Sequence, residues 1–274
     1  MFSLQTMRRK MLGCLLIAIC IGCVGALALL ADAVWPEASG EITDSKGEFV
    51  IDISHTDKGY FMAKREACSK GLKLRVTKGD STYTYDLNND GEYEVFPLQM
   101  GSGTYKCSLY LNVSGNKYSK EAELKFTVDM DDSDAAYLCP SQYVNYKQDS
   151  LAVLASEEIC EGLKTDQEKY EAIIKYVREN FVYDYKRAAS NPGAYLGDVD
   201  GCFETKTGLC QDLSAMTAAM LRVQGIPTQM VIGYADRQYH AWINVQLDDE
   251  YHRMDVTAEV TGVPASVYTP ERRY

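Results

Sequence analysis

Histidine is scarce in this chain: 274 residues hold three, His55, His240 and His252. With so few imidazoles, a His-rich metal centre is excluded on supply. The wide step from Cys202 to Cys210, with no Cys-x-x-Cys or His-x-x-x-His beside it, argues against structural zinc. No metal and no other cofactor is expected. Positive charge is also short, with 28 Lys+Arg against 39 Asp+Glu and a formal net charge of −11. It forms no basic block, so nucleic acid is a poor partner and anionic surfaces would be repelled. The scattered acidic excess reads as a solvated, soluble surface. Beyond the N-terminus there is neither an internal repeat nor a low-complexity segment.

Long apolar runs are confined to one place. Arg8-Arg9-Lys10 precedes an uncharged stretch from Met11 to Ala31, the pattern of an export signal or membrane anchor at residues 1–35. Ala26-Leu27-Ala28 and Ala31-Asp32-Ala33 fit signal-peptidase cleavage, and Ile21-Gly22-Cys23 is a partial lipobox. Cleaved, anchored and lipid-modified forms all place the rest of the chain outside the cytoplasm, extracellular or at the cell surface.

The remaining length suggests two domains. Segments 48–53, 72–77, 82–87, 93–98, 104–113 and 122–128 alternate apolar and polar residues between turn-rich stretches. They predict an antiparallel, immunoglobulin-like β-sandwich over residues 36–130. Asp86, Asn88, Asp90 and Gly91 sit like the front of a calcium loop, but Pro97 takes the position that needs a bidentate Glu. A hairpin between the flanking strands is the better reading. After the charged run Asp129-Met130-Asp131-Asp132-Ser133-Asp134 the period becomes helical, and Thr165 with Glu168 forms a capping box. Residues 131–274 are therefore expected to be α+β.

Nine cysteines are present, three of them in the apolar N-terminal stretch. Cys68 with Cys107, and Cys139 with Cys160, are plausible disulfide partners, although spacing cannot choose the connectivity. A Cys202–Cys210 bridge would hold a reactive thiol off.

The chemistry concentrates near the end. Leu213, Met216, Met220 and Val223 recur at helical steps until Gly225-Ile226-Pro227, so Cys210 stands at a helix N-terminus, where orphan N–H groups and the macrodipole favour a thiolate. Residues 228–234, 239–247 and 251–256 read as strands. A two-residue turn at Asp248-Asp249 would pair Leu247 with Glu250, Trp242 with Asp255 and His240 with Thr257, bringing His240 and Asp255 together on one face. His252 has the opposite parity and should face away. Alone, each of these residues has a bland reading: a small core cysteine, a satisfied sheet histidine, a solvated aspartate. Together they supply a thiol, a base and an orienting carboxylate.

Gly208-Leu209-Cys210-Gln211-Asp212, Gly225-Ile226-Pro227, Val231-Ile232-Gly233-Tyr234, His240-Ala241-Trp242 and Asp255-Val256-Thr257 resemble, in this order, the transglutaminase-like superfamily, relatives of the papain-type cysteine proteases. Residues 172–177 and 180–184 resemble the segment before that family's cysteine. The resemblance implies a papain/transglutaminase-like fold, with Cys210 as nucleophile, His240 as base and Asp255 as orienter. It implies acyl transfer from a protein or peptide glutamine amide through a thioester, resolved by an amine (cross-linking) or by water (deamidation or peptide hydrolysis). The alternative is a cell-surface binding or scaffold protein whose domain is catalytically silent.

Overall fold

The computed structural model describes residues 33–190, 193 and 195–274, so the expected export or anchor segment lies outside the described residues. Among the described residues no helix is long and apolar enough to cross a membrane.

The first half is all strand: β1 (Thr43–Lys46), β2 (Phe49–Asp52), β3 (Tyr60–Arg65), β4 (Leu72–Lys78), β5 (Ser81–Leu87), β6 (Glu94–Pro97), β7 (Gly103–Ser114) and β8 (Lys117–Val128). They form two antiparallel sheets, ordered β1-β2-β3-β6 and β5-β4-β7-β8. Alternation does the work expected of it: Leu72, Leu74 and Val76 on β4, and Ala122, Leu124, Phe126 and Val128 on β8, all turn inward. Phe61 meets Phe126 across the two sheets at 5.3 Å between ring centroids.

Several expectations are corrected here. β1 and β3 carried no readable pattern. Thr43–Lys46 is wholly exposed, whereas Tyr60, Phe61, Met62 and Ala63 are all buried, because Tyr60 and Met62 face a second small cluster around Cys139. A strand covered on both sides has no alternation to detect. The strands flanking Asp86–Gly91 are not a hairpin, since β5 pairs with β4 and β6 with β3, in different sheets. The loop's polar groups serve its own backbone: Asp90 accepts from the Glu92 N–H at 2.9 Å, and Glu94 from the Asn88 N–H at 2.8 Å. Cys68, Cys107, Cys139, Cys160, Cys202 and Cys210 are all free thiols, so none of the considered disulfides forms.

The second half holds α1 (Leu151–Cys160), α2 (Asp166–Asn180), α3 (Tyr185–Ala189), α4 (Val199–Thr205), α5 (Cys210–Arg222) and α6 (Val256–Thr261). The Thr165–Glu168 capping box opens α2, which buries Ile173, Ile174 and Val177. A short parallel pair, β9 (Val182–Tyr183) with β10 (Thr207–Gly208), precedes α5. Antiparallel β11 (Thr228–Ala235), β12 (Gln238–Leu247), β13 (Glu250–Met254) and β14 (Tyr268–Arg273) are ordered β13-β12-β11-β14. Helix α5 is central, packed on β11 and β12 and surrounded by α1, α2, α4 and α6. Residues Gln211 to Arg222 are accordingly all buried. The apolar core runs without a break from the first half into the second.

Candidate active site

Three backbone devices deliver Cys210 to the start of α5. Gly208 lies against Asp212 and Cys202: a Cβ there would stand 2.8 Å from both the Asp212 Cβ and the Cys202 Sγ, so no other residue fits. Lys206, in the left-handed region at φ 55°, makes the sharp entry. Its ammonium sits 3.3 Å from the Phe203 ring centroid and 4.6 Å from that of Phe181, and donates to the Tyr176 hydroxyl at 3.1 Å. Lys206→Met keeps the apolar stem but loses this aromatic box. Urea unfolding should show a loss of about 1–2 kcal/mol, the scale of a partly desolvated cation–π contact.

The third device is Asp212, 1 % exposed and one turn into the helix. Its Oδ2 accepts from the Leu209 N–H (2.9 Å), the Arg187 guanidinium (2.7 Å) and the Tyr195 hydroxyl (3.2 Å), while Oδ1 accepts from the Asp198 N–H (3.1 Å). One buried carboxylate thus pins three segments around the thiol, and its charge is compensated by Arg187. Cys202, beneath Gly208, is inert by contrast, because burial pushes its thiol up to about 12.

His240 comes from β12. Asp248 and Asp249 both adopt positive φ, 52° and 63°, as a type I′ turn requires. The register runs from Leu247↔Glu250 to Ile243↔Met254, so one further step sets Asp255 beside Trp242. The strand ends there. Instead of continuing to Val256, the chain turns into α6 with Asp255 as N-cap, its Oδ1 accepting from the Ala258 N–H at 3.1 Å. Thr257 is therefore helical and not paired with His240. The break turns the carboxylate to the imidazole, and His240 Nε2 lies 2.9 Å from Asp255 Oδ2. Cys210 is near enough to act on the imidazole's charge as well. His252 pairs with Val245, off the Asp255 face, and is exposed.

The electrostatics follow from these contacts. Burial works against a charged imidazole, but its hydrogen bond to the Asp255 carboxylate and the nearby Cys210 outweigh it and raise His240 to about 9. Burial likewise opposes ionisation of Asp255, yet His240 and Tyr268 hold its carboxyl below the usual carboxylate range. An imidazolium between a sulfur and a carboxylate is the state in which a thiol serves as a nucleophile. The sign for stability is fixed as well. With His240 raised from 6.5 to about 9, its contribution is complete below about 6.5 and is lost as pH rises through 9. The Asp255 contribution is present above 3.8 and lost as pH falls through its depressed value.

Asp255→Asn separates these roles. Asn caps a helix as well as Asp, so α6 should persist, while the alkaline decline in stability flattens in urea titrations run between pH 6 and 10. The imidazole is then free to adopt the wrong tautomer, and any turnover that depends on Cys210 and His240 should drop by about 10³–10⁴-fold.

Tyr268, on β14, carries no signal in the sequence. Its strand is almost wholly exposed and interrupted by Pro270, and its first residue reaches back to the site only through pairing with β11. The Tyr268 hydroxyl donates to Asp255 Oδ2 at 2.6 Å, and its ring meets Trp242 edge-on at 5.2 Å. A cleft of about 400 Å³ opens onto His240 and Asp255, walled by Tyr183, Tyr185, Asp236, Val263 and Ala265. A wider one, about 760 Å³ beside Trp35, Tyr93 and Tyr146, includes none of the three triad residues.

Residues 155–256 match the family described as the transglutaminase-like superfamily. No curated protein matches the chain. Among solved structures it is similar to a TGase (24 % identity, TM-score 0.35, covering 43 % of this chain and 32 % of that one). It is also similar to the periplasmic domain of TgpA from Pseudomonas aeruginosa (18 %, 0.39, 84 % and 77 %) and to red sea bream transglutaminase (13 %, 0.29, 74 % and 48 %). The chain therefore spans about a third of the length of the first of these.

Proposed function

We propose that the transglutaminase-like domain matched at residues 155–256, extended to Tyr268, is an extracytoplasmic cysteine acyl-transfer enzyme acting on protein or peptide carboxamides. The observation that carries this reading is the pair of His240 Nε2 and Asp255 Oδ2 at 2.9 Å, with Cys210 near enough to favour the charged imidazole. His240 takes the Cys210 proton, and the sulfur attacks the carboxamide carbon. The oxyanion faces the first N–H groups of α5, which have no carbonyl a turn earlier in the helix. Collapse of this adduct breaks the C–N bond, His240 returns the proton to the leaving ammonia, and a thioester remains. An amine or water then loses a proton to His240 as it attacks, and the thiol is regenerated. Which acceptor wins depends on how well the cleft excludes water.

The division at residues 36–130 and 131–274 belongs to the same reading. An immunoglobulin-like character for the first part is supported by its two four-stranded sheets. It is also supported by Tyr105, near the start of β7, whose hydroxyl donates back to the Leu98 and Gly101 carbonyls at 3.1 and 2.8 Å, as in a tyrosine corner. The apolar segment before residue 36 supports export.

The test offers the protein a glutamine peptide with a tagged primary amine and resolves the products by mass. Amine incorporation, deamidation or cleavage that depends on Cys210 supports the reading and identifies the acceptor. No product from a panel of glutamine peptides, together with a Cys210 no more reactive than Cys68, would overturn it.

A further inference from the structure

We propose that Tyr268 is a positioning residue of this site: its hydroxyl fixes the Asp255 carboxylate and, by sharing Oδ2 with His240, tempers the basicity of the imidazole. This rests on the proposed function for its catalytic meaning, but its geometry stands alone. Oδ2 accepts from the Tyr268 hydroxyl at 2.6 Å and from His240 Nε2 at 2.9 Å, while Oδ1 accepts from the Ala258 N–H at 3.1 Å. Both carboxylate oxygens are thus committed, and rotation about the Cβ–Cγ bond would break all three bonds together.

Tyr268 is itself clamped. Trp242 lies edge-on to its ring, and the Arg253 guanidinium sits 4.1 Å from the ring centroid. The phenol holds its proton firmly, since burial and the bond to Asp255 push it up to about 12. It therefore remains a donor wherever the site works. A second donor on one carboxylate oxygen draws off negative charge that would otherwise stabilise the imidazolium. An acid that binds the imidazolium too tightly makes His240 a poor proton donor to the leaving group, so moderating this pair favours turnover. The groups acting directly on His240 are Asp255 and Cys210. Those on Asp255 are His240, Tyr268 and the Ala258 N–H, with Arg253 one contact further out.

The bond also closes a loop. Between Asp255 and Tyr268 the chain builds α6 and the cleft wall at Val263 and Ala265, and Asp236 accepts from the Ser266 and Val267 N–H groups, both at 2.9 Å. The wall is thus tied to the carboxylate at both of its ends.

The test follows the His240 imidazole by NMR in a Cys210→Ala background, where the thiol no longer couples to the titration. His55 and His252 serve as internal references. Three side chains are compared at position 268: Phe, which donates nothing, Tyr, and 3-fluorotyrosine, a stronger donor of the same shape. The His240 midpoint should fall in the order Phe, Tyr, fluorotyrosine, with Tyr268→Phe about one unit above the parent, a tenfold gain in proton affinity. A purely structural tyrosine would give no graded order. Equal midpoints, or a midpoint lowered by Tyr268→Phe while His55 and His252 are unmoved, would overturn the proposal. Because the titration needs no turnover, it decides this point even if no acyl transfer is found. Failure of the enzymatic reading would show separately, as an unreactive Cys210 in the otherwise intact protein.

Discussion

On the proposed function, Cys210→Ala is expected to abolish acyl transfer, with a fall in turnover of at least about 10⁴-fold, the scale seen when the nucleophile of a triad is removed. The fold should be untouched, because the half-buried Cys210 has its role at the mouth of α5 and not in its packed flank. The accompanying chemical test is selective alkylation near pH 6. The buried thiols of Cys139 and Cys202 are pushed up to about 12, that of Cys160 to about 11, and that of Cys107 further still, all by burial. Among the described cysteines, Cys210 is the one whose charge is coupled to His240. Mass mapping after brief iodoacetamide treatment should find the label on Cys210 ahead of the partly exposed Cys68, and Cys210→Ala should lose that label together with turnover. Label spread evenly over several cysteines would mean that no thiolate is being stabilised.

Arg222→Met is expected to cause a large loss of stability. The guanidinium is fully buried at the last turn of α5, and burial pulls its affinity for protons down. Its partners are main-chain oxygens: Thr228 accepts from Nε at 2.9 Å and from Nη2 at 2.7 Å, Cys139 from Nη1 at 2.6 Å, and Tyr274 from Nη2 at 2.7 Å. This one side chain joins the end of the central helix, the start of β11, the segment leading out of the first half and the end of β14. Met has nearly the same length and no donor, so it would leave the Thr228 and Cys139 carbonyls unpaired, while the Tyr274 carbonyl keeps the Met230 N–H at 2.8 Å. At about 1–3 kcal/mol for each of the two orphaned groups, partly relieved by relaxation, the loss should be on the order of 2–4 kcal/mol. Urea unfolding would measure it, and a shift below about 1 kcal/mol would mean that water replaces the guanidinium. Lys cannot substitute, because a point charge does not span three acceptors held by a planar fork.

Much of the site was legible along the chain. Helix α5 announced itself by Leu213, Met216 and Met220 at helical steps, and Gly208 by its place before the cysteine. The Asp248-Asp249 turn fixed the β12–β13 register, because a two-residue loop leaves one pairing and a one-residue slip would turn every side chain over. The expectation failed one residue further on. Asp255 was read as the interior of a strand, whereas it is a helix cap, and a capping side chain is as compatible with a strand end as with a helix start. In the first half, the alternating strands could be read, while β1 and β3 could not. One is solvated on all its residues and the other is covered on both faces.

The sequence by itself determined which candidate groups follow one another and in what order: a thiol opening a helix, an imidazole on the strand that follows, and a carboxylate after one tight turn. Those are local facts, set by period and turn geometry over a few residues. Only the tertiary structure decided that Tyr268 completes the Asp255 carboxylate, that Asp212 ties Arg187, Tyr195 and Asp198 around the thiol, and that Arg222 fastens the central helix to the Cys139 segment, to β11 and to Tyr274. Such contacts join groups far apart in the chain, where neither periodicity nor propensity links one partner to the other. They exist because a buried charge or hydroxyl must find a partner wherever the folded backbone places one.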